Sequence, residues 1–347
     1  MSNILIKNAK VIATMDNDLR ELNNNSIYSE NGIIVEIGKC DNLNYQPDQI
    51  IDATDMVVIP GLINTHHHLF QNLTRCYPRA QNESLFGWLT NLYPVWNNIV
   101  PRDIYISALI GLSEMVISGC TTSSDHLYLF PNGSKIEDEI EAAKKVGCRF
   151  HASRGSMSIG VSKGGLPPDS LVENEEAILK DCQRVIEDFN DNSEFSMLRI
   201  ALAPCSPFSV SQNLMRETAI LAREYSVGMH THLAENKEDI EYTQKHFGMR
   251  PGEYVEQLGW IGNDVWHAHC VQLNESEIEL FAKTGTGIAH CPCSNMRLAS
   301  GIAPLRNWLD AGVKVGLGVD GSSSNDSGHL LSEARQAMLL QLSLIHI

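Results

Sequence analysis

From Met56 onward the chain repeats one pattern: a short run of β-branched and apolar residues, then a longer stretch with helical spacing, then another run. Strands are expected over 57–64, 121–125, 149–153, 198–203, 227–232, 264–269, 286–290 and 313–319. Helices are expected between them, at 101–118, 134–146, 171–189, 212–225 and 275–283, each ended by a glycine or by the next β-branched run. Strands alternating with helices indicate the α/β class, and eight of them indicate a (β/α)8 TIM barrel. Before the repeat begins, 4–7, 10–14, 26–30 and 32–37 read as short strands punctuated by Asn and Gly. The expected division is therefore a small β unit at 1–58 and a barrel at 59–347.

Composition narrows the partners. At 347 residues and 43% hydrophobic the chain can bury one large core plus an appendage. Its 42 acidic against 26 basic residues give a formal charge of −16, which argues against nucleic acid or an anionic membrane surface, since both demand a basic patch. A small neutral molecule fits better, and a homo-oligomer is allowed. Neither a leader-like N-terminus nor an apolar run of membrane-spanning length is present, so a cytoplasmic location is expected. The nine scattered cysteines make no disulfide framework and are expected to be reduced thiols.

Chemistry concentrates at the strand ends, where barrels of this kind carry it. Thr65-His66-His67-His68-Leu69-Phe70-Gln71 follows the first strand, and alternate positions place His66 and His68 on one face, His67 on the other. His230-Thr231-His232, His267-Ala268-His269 and Asp320 close the fifth, sixth and eighth strands. Any one of these histidines alone would be taken as structural; five candidates at matching ends indicate a catalytic metal centre. Imidazole and carboxylate suit zinc, with iron and manganese as alternatives. A proton carrier must stand beside a metal-activated water, and Glu235, three residues past His232, reaches the same cavity if the chain turns at once after the strand.

The strings THHHLFQ, HTHLAEN, WHAHC and GLGVDG resemble the amidohydrolase superfamily, in its mononuclear-metal deaminase branch. The resemblance implies a β-sandwich of which residues 1–58 form the N-terminal part. It also implies metal ligands His66, His68, His232 and Asp320, with Asp320 taking the proton of the attacking water, a metal-bound hydroxide. His269 then hydrogen-bonds nucleophile or substrate, and Glu235 protonates the ring nitrogen and the departing amine. Binuclear members carry a lysine at the end of the fourth strand; here that stretch reads Ala201-Leu202-Ala203-Pro204-Cys205-Ser206, so one metal per chain is implied.

Further segments, including Ser153-Arg154-Gly155-Ser156-Met157-Ser158 and Leu202-Ala203-Pro204-Cys205-Ser206-Pro207-Phe208, resemble the 8-oxoguanine deaminases within that branch. The implied reaction is hydrolysis of 8-oxoguanine at purine carbon 2 to urate and ammonia. Guanine, isocytosine and s-triazines are alternative substrates, and a non-catalytic metal- or ligand-binding barrel is the alternative from another class. Retention of Glu235 and His269 beside the ligands argues against that last reading. Gln71 matches the glutamine that reads a guanine edge, Arg154 could donate two parallel bonds to a ring carbonyl or sit in an inward salt bridge, and Cys205 fits a pocket wall. His126, Trp88 and Trp96 are further wall or core candidates, and His230 is expected to support the site from behind. The chain departs from the family at its C-terminus: relatives continue past the helix after the eighth strand, so Leu344-Ile345-His346-Ile347 is read as the foreign tail of a truncated fragment.

Overall fold

The apolar run around 57–64, expected as one strand, is cut in two by Pro60-Gly61, because proline cannot donate to a strand ladder. Its first half joins the N-terminal unit and its second half opens the barrel. The structure, a computed structural model, describes residues 2–39 and 45–345. Two compact units divide at the same break, Met1–Gly61 and Leu62–Ile347.

In the first unit β1 (Ile4–Ala13) is central, with β2 (Glu21–Glu30) antiparallel beside it and β3 (Ile33–Gly38) antiparallel to β2. β4 (Gln49–Asp52) and β5 (Val57–Val58) run parallel to β1. The strands expected at 4–7 and 10–14 are one strand, whose pairing with β2 shifts register between Ile6 and Ala9; Asn8 there takes φ 61°. The unit is a single mixed sheet packed on Ala9, Ile12, Ile27 and Ala53.

In the second unit eight parallel strands follow in chain order: β6 (Leu62–Asn64), β7 (Cys120–Leu127), β8 (Arg149–Ser156), β9 (Leu198–Pro204), β10 (Gly228–Leu233), β11 (Val265–His269), β12 (Gly287–His290) and β13 (Lys314–Leu317). The sheet curls until its ends meet. There the Thr65 N–H and hydroxyl both donate to the Leu317 carbonyl at 2.9 Å, and the Asp320 N–H donates to the His66 carbonyl at 3.1 Å. Buried Asn64 ties the seam: its Oδ1 accepts from the Val319 N–H at 2.9 Å and its Nδ2 donates to the Ser123 hydroxyl at 3.0 Å. The (β/α)8 barrel expected from the sequence is the observed fold.

Helices α1 (Leu85–Trp96), α2 (Pro101–Ile117), α3 (Ile136–Val146), α4 (Glu175–Phe189), α5 (Gln212–Glu224), α6 (Lys237–Phe247), α7 (Pro251–Gln257), α8 (Glu275–Thr284), α9 (Pro292–Arg297), α10 (Leu305–Ala311), α11 (Ser322–Asn325) and α12 (Leu330–Ile345) fill the connections. α4 shows why such stretches fold as they do. Asn174 caps its first turn by accepting from the Glu176 and Ala177 N–H groups, and Ile178, Cys182, Val185 and Ile186 form one buried stripe. Each such side chain contributes about 1.5–3 kcal/mol on full burial. α3 and α8 stop at Gly147 and Gly285, which take φ 80° and 76°, a conformation in which a side chain would clash with the backbone.

α1 was not expected from the sequence. It stands over the strand ends and packs Trp88, Leu92, Tyr93 and Trp96 with Phe70, Tyr128 and Phe208 in an aromatic cluster distinct from the main core. No helix among the described residues is long and apolar enough to cross a membrane. The described cysteines are free thiols, mostly buried; Cys40 lies outside the described residues, as do 346–347 of the tail expected to be foreign.

Candidate metal centre and active site

His66 and His68 stand just past β6, in extended chain between Asn64 and a short 3-10 turn at Leu69–Thr74. Asp125 holds that turn in place, its Oδ1 accepting from the Leu69 N–H at 2.7 Å. The rings of His66 and His68 are buried and that of His232 is half-buried, and each has its Nδ1 engaged from behind. His68 Nδ1 donates to the His126 carbonyl at 2.7 Å, and His232 Nδ1 to the Cys205 carbonyl at 2.6 Å. For His66 the partner is His230, whose own Nδ1 donates to the Trp266 carbonyl at 2.8 Å; its Nε2 therefore accepts from His66 Nδ1, also at 2.8 Å. A carbonyl at the end of each chain fixes the tautomer, leaving all three Nε2 atoms as bare lone pairs facing inward.

Those lone pairs converge. His68 Nε2 and His232 Nε2 lie 2.9 Å apart, and Asp320 Oδ1 is 3.4 Å from the Nε2 atoms of both His66 and His68. Burial pushes His66, His68 and His232 below the usual imidazole range, and neighbouring rings push in the same direction. Burial also acts to raise Asp320, but the surrounding imidazoles, His66 first with His269 and His68 behind, hold its carboxyl well below the usual carboxylate range. Neutral imidazoles facing each other and a buried carboxylate amount to a donor set that fits a cation. A divalent ion among the Nε2 atoms and Oδ1 resolves both the repulsion and the charge. Elemental analysis should find one tightly held ion per chain; two ions, both needed for activity, would overturn the mononuclear reading.

The backbone bends to make this geometry. Asp320 takes φ 60°, His269 72° and Ala234 48°, left-handed conformations that side chains other than glycine adopt only when the surroundings enforce them. At Gly318 a Cβ would come within 2.8 Å of the His66 Cβ, so glycine lets β13 run against the His66 loop. Asp320 Oδ2 is held by the Ser294 hydroxyl at 2.5 Å and Oδ1 by the Gly321 N–H at 2.7 Å.

The turn at Ala234 carries Glu235 back over the strand ends. Its carboxyl is buried, accepts from the Ser300 hydroxyl at 3.0 Å, and is pushed up to about 8 by burial first and by the Asp320 charge second. His269 Nδ1 accepts from Asn295 Nδ2 at 2.9 Å, which leaves its hydrogen on Nε2, 3.6 Å from Glu235 Oε2 and 3.9 Å from Asp320 Oδ2. An acid, a base and a donor are thus gathered beside the metal donors.

They face a common cavity. Leu85, Trp88, Leu89, Tyr93, Phe208 and Leu298 make its apolar wall, and Gln71, Cys205, Glu235, Asp239, His269 and Asp320 its polar side. Gln71 is buried and its Oε1 has no partner among the described residues. Cys205, pushed up to about 12 by burial, is a thiol that forms wall. Arg154 lies outside this lining: it pairs with Glu173 at 2.8 Å and Asp181 at 2.7 Å and stacks over Phe130, so its donors are taken up within the fold. Trp88 lines the cavity whereas Trp96 lies in the core behind it. His67 points away and accepts from the His68 N–H at 2.8 Å. His126 also lies behind the cavity, with one ring nitrogen close enough to join His66, His68 and His232 as a donor.

Asp239, Ser294, Asn295 and Ser300 were not anticipated. Each acts through a neighbour brought close by the barrel; Ser294, Asn295 and Ser300 lie in a stretch, 294–301, that resembles the family, but that resemblance assigned no role to any one of them.

A buried set of imidazole and carboxylate donors at the carboxyl end of a (β/α)8 barrel defines a metal-binding hydrolase. The amidohydrolase family model matches residues 57–346, and the chain belongs to that family. It is 44% identical to the 8-oxoguanine deaminase of Pseudomonas aeruginosa over 326 residues, 91% of this chain and 73% of that protein. It is 38% identical to an isoxanthopterin deaminase from an unknown prokaryotic organism, over 85% of this chain but only 62% of that protein. The atrazine chlorohydrolase of Arthrobacter aurescens TC1, solved with zinc, superposes with a TM-score of 0.93 at 36% identity, over 97% of this chain and 76% of that one.

Proposed function

We propose that the chain is a metal-dependent aminohydrolase of cyclic amidines, that its substrate is 8-oxoguanine, and that the products are urate and ammonia. The observation that carries the reading is Glu235, a buried carboxyl raised to about 8 beside a donor cluster and inside a mostly apolar cavity. Such a group is protonated at neutral pH and poised to deliver its proton. In this reading His66, His68, His232 and Asp320 hold one zinc ion, the metal named with the atrazine chlorohydrolase, and His126 supports them from behind. Iron or manganese would suit the same donors. When bound, the ion makes a hydroxide available from water near neutral pH.

The protein's own groups do the rest. Asp320 Oδ2, which faces His269 Nε2, takes the proton released by the attacking water. Glu235 protonates the ring nitrogen next to the amine-bearing carbon, which makes that carbon electrophilic, then takes the hydrogen of the added hydroxyl as that oxygen becomes the carbonyl and passes it to the amine so that ammonia departs; the proton held by Asp320 restores the acid. His269 Nε2–H donates to the oxygen added at that carbon. Gln71 offers its unpartnered Oε1 to a substrate N–H, Cys205 forms wall, and Arg154 is left out of the substrate contacts. The substrate assignment leans on the 44% identical relative, and the reading keeps the cytoplasmic location expected from the sequence.

The test is a panel of 8-oxoguanine, guanine, isocytosine and an alkylamino s-triazine, read by ammonia, alkylamine and ring product. 8-Oxoguanine should have the highest kcat/KM. Its extra N–H and carbonyl lie on the far ring, and a polar wall left unpaired by guanine would penalise guanine. Guanine turned over as fast or faster would reject the substrate while leaving the deaminase chemistry standing.

A further inference from the structure

Asp239 is a buried carboxyl on the cavity wall that the chemistry above does not use. It sits in the first turn of α6, capped by Asn236, and its Oδ2 accepts from the Glu235 N–H at 2.8 Å. Its Oδ1 is fully buried and has no hydrogen-bond partner among the described residues. A buried acceptor left unpaired costs on the order of 1–3 kcal/mol, so such an atom on a side chain that lines a cavity points to a ligand donor. Gln71 Oε1, on the same cavity, is unpaired in the same way, and the occupant must therefore offer N–H groups in two directions.

Resting on the 8-oxoguanine reading, we propose that Asp239 accepts the N9–H of the bound purine and is the residue that selects a free, fused-ring base over N9-substituted or single-ring substrates. The chemistry of the ring sets the partner. In 8-oxoguanine N1 already carries a hydrogen, so the basic nitrogen next to carbon 2 that Glu235 protonates is N3. N9–H lies on the same edge as N3, one ring atom further on. Asp239 lies four residues beyond Glu235 and is bonded to its backbone, which holds the Asp239 carboxyl next to the residue that reaches N3. An N9 substituent removes the donor and meets the carboxyl; isocytosine has only a C–H at the corresponding position.

The test compares kcat/KM for 8-oxoguanine, 9-methyl-8-oxoguanine and isocytosine in the parent, Asp239→Ala and Asp239→Asn, each checked for metal content. Asp239→Asn keeps the shape and can keep its oxygen on the Glu235 N–H, but then turns an NH2 group toward N9–H, donor against donor. In both variants the preference for 8-oxoguanine over its 9-methyl analogue should fall by on the order of 100-fold, and its preference over isocytosine by about 30-fold, the scale set by leaving one buried hydrogen-bonding group unpaired. Equal losses on all three substrates at unchanged metal content would overturn the inference and leave Asp239 a merely structural support of Glu235. A parent that does not deaminate 8-oxoguanine overturns the substrate reading and this inference together, whereas a parent that does so with unchanged ratios in the variants overturns this inference alone.

Discussion

Glu235→Gln should retain the metal and the fold and lose about 10²–10⁴ of its turnover, the range that a positioned general acid–base group contributes. The amide has the shape of the acid and can still accept from the Ser300 hydroxyl, but it cannot deliver a proton. Two further readouts separate this from a packing effect. The carboxyl is raised to about 8, so its acid form is depleted as pH climbs through that value; the parent rate should fall on that alkaline limb and the variant should lack it. Stability should move the other way. A carboxyl whose folded value lies above its free value of 4.5 favours the unfolded chain increasingly as pH rises from there to about 8. Glutamine removes that burden, so the variant's Tm at pH 8 should be no lower than the parent's. Activity within about tenfold of the parent would count against the proton-transfer role.

Stripping the metal should cost still more. A bound divalent ion can bring the pKa of water from 15.7 to about 7, so a chelated parent should lose on the order of 10³-fold or more in rate and recover on addition of zinc. His68→Ala should be equally inactive and should not recover, because it removes a lone pair from the point where His68 and His232 Nε2 stand 2.9 Å apart. Loss of the ion also returns two facing lone pairs and a buried carboxylate to an unbalanced state. At a thousandfold excess over its Kd a ligand stabilises the fold by about 4 kcal/mol, so the chelated protein should melt several degrees lower. Metal-free protein, verified by elemental analysis, that keeps parental turnover would remove the catalytic metal from the account.

The histidines and Asp320 were legible because the rule that marks them is local: each ends an apolar β-branched run, and barrel chemistry gathers at such ends. Glu235 was legible for the same reason, given a turn that Ala234 supplies at φ 48°. Where the reading ran short, the signal was absent or punctuated differently. Pro60 split a run that looked continuous, and α1, whose buried residues Leu85, Trp88, Leu89 and Leu92 follow helical spacing, was hidden by an internal proline, Pro94. Arg154 offered two arrangements from sequence, and only the positions of Glu173 and Asp181, 19 and 27 residues downstream, decided which its side chain adopts.

The amino-acid order by itself determined the alternation of strands and helices, the barrel, and the gathering of histidines and Asp320 at the strand ends, because periodicity and strand-end position are properties of short segments. Only the tertiary structure decided which imidazole nitrogen faces inward, which carboxyl is driven up and which held down, and that Asp239, on the cavity wall, keeps one oxygen unpaired. Those depend on carbonyls, hydroxyls and charges contributed by strands far apart in the chain, and they acquire their values only when closure of the barrel removes the water that would otherwise have satisfied them.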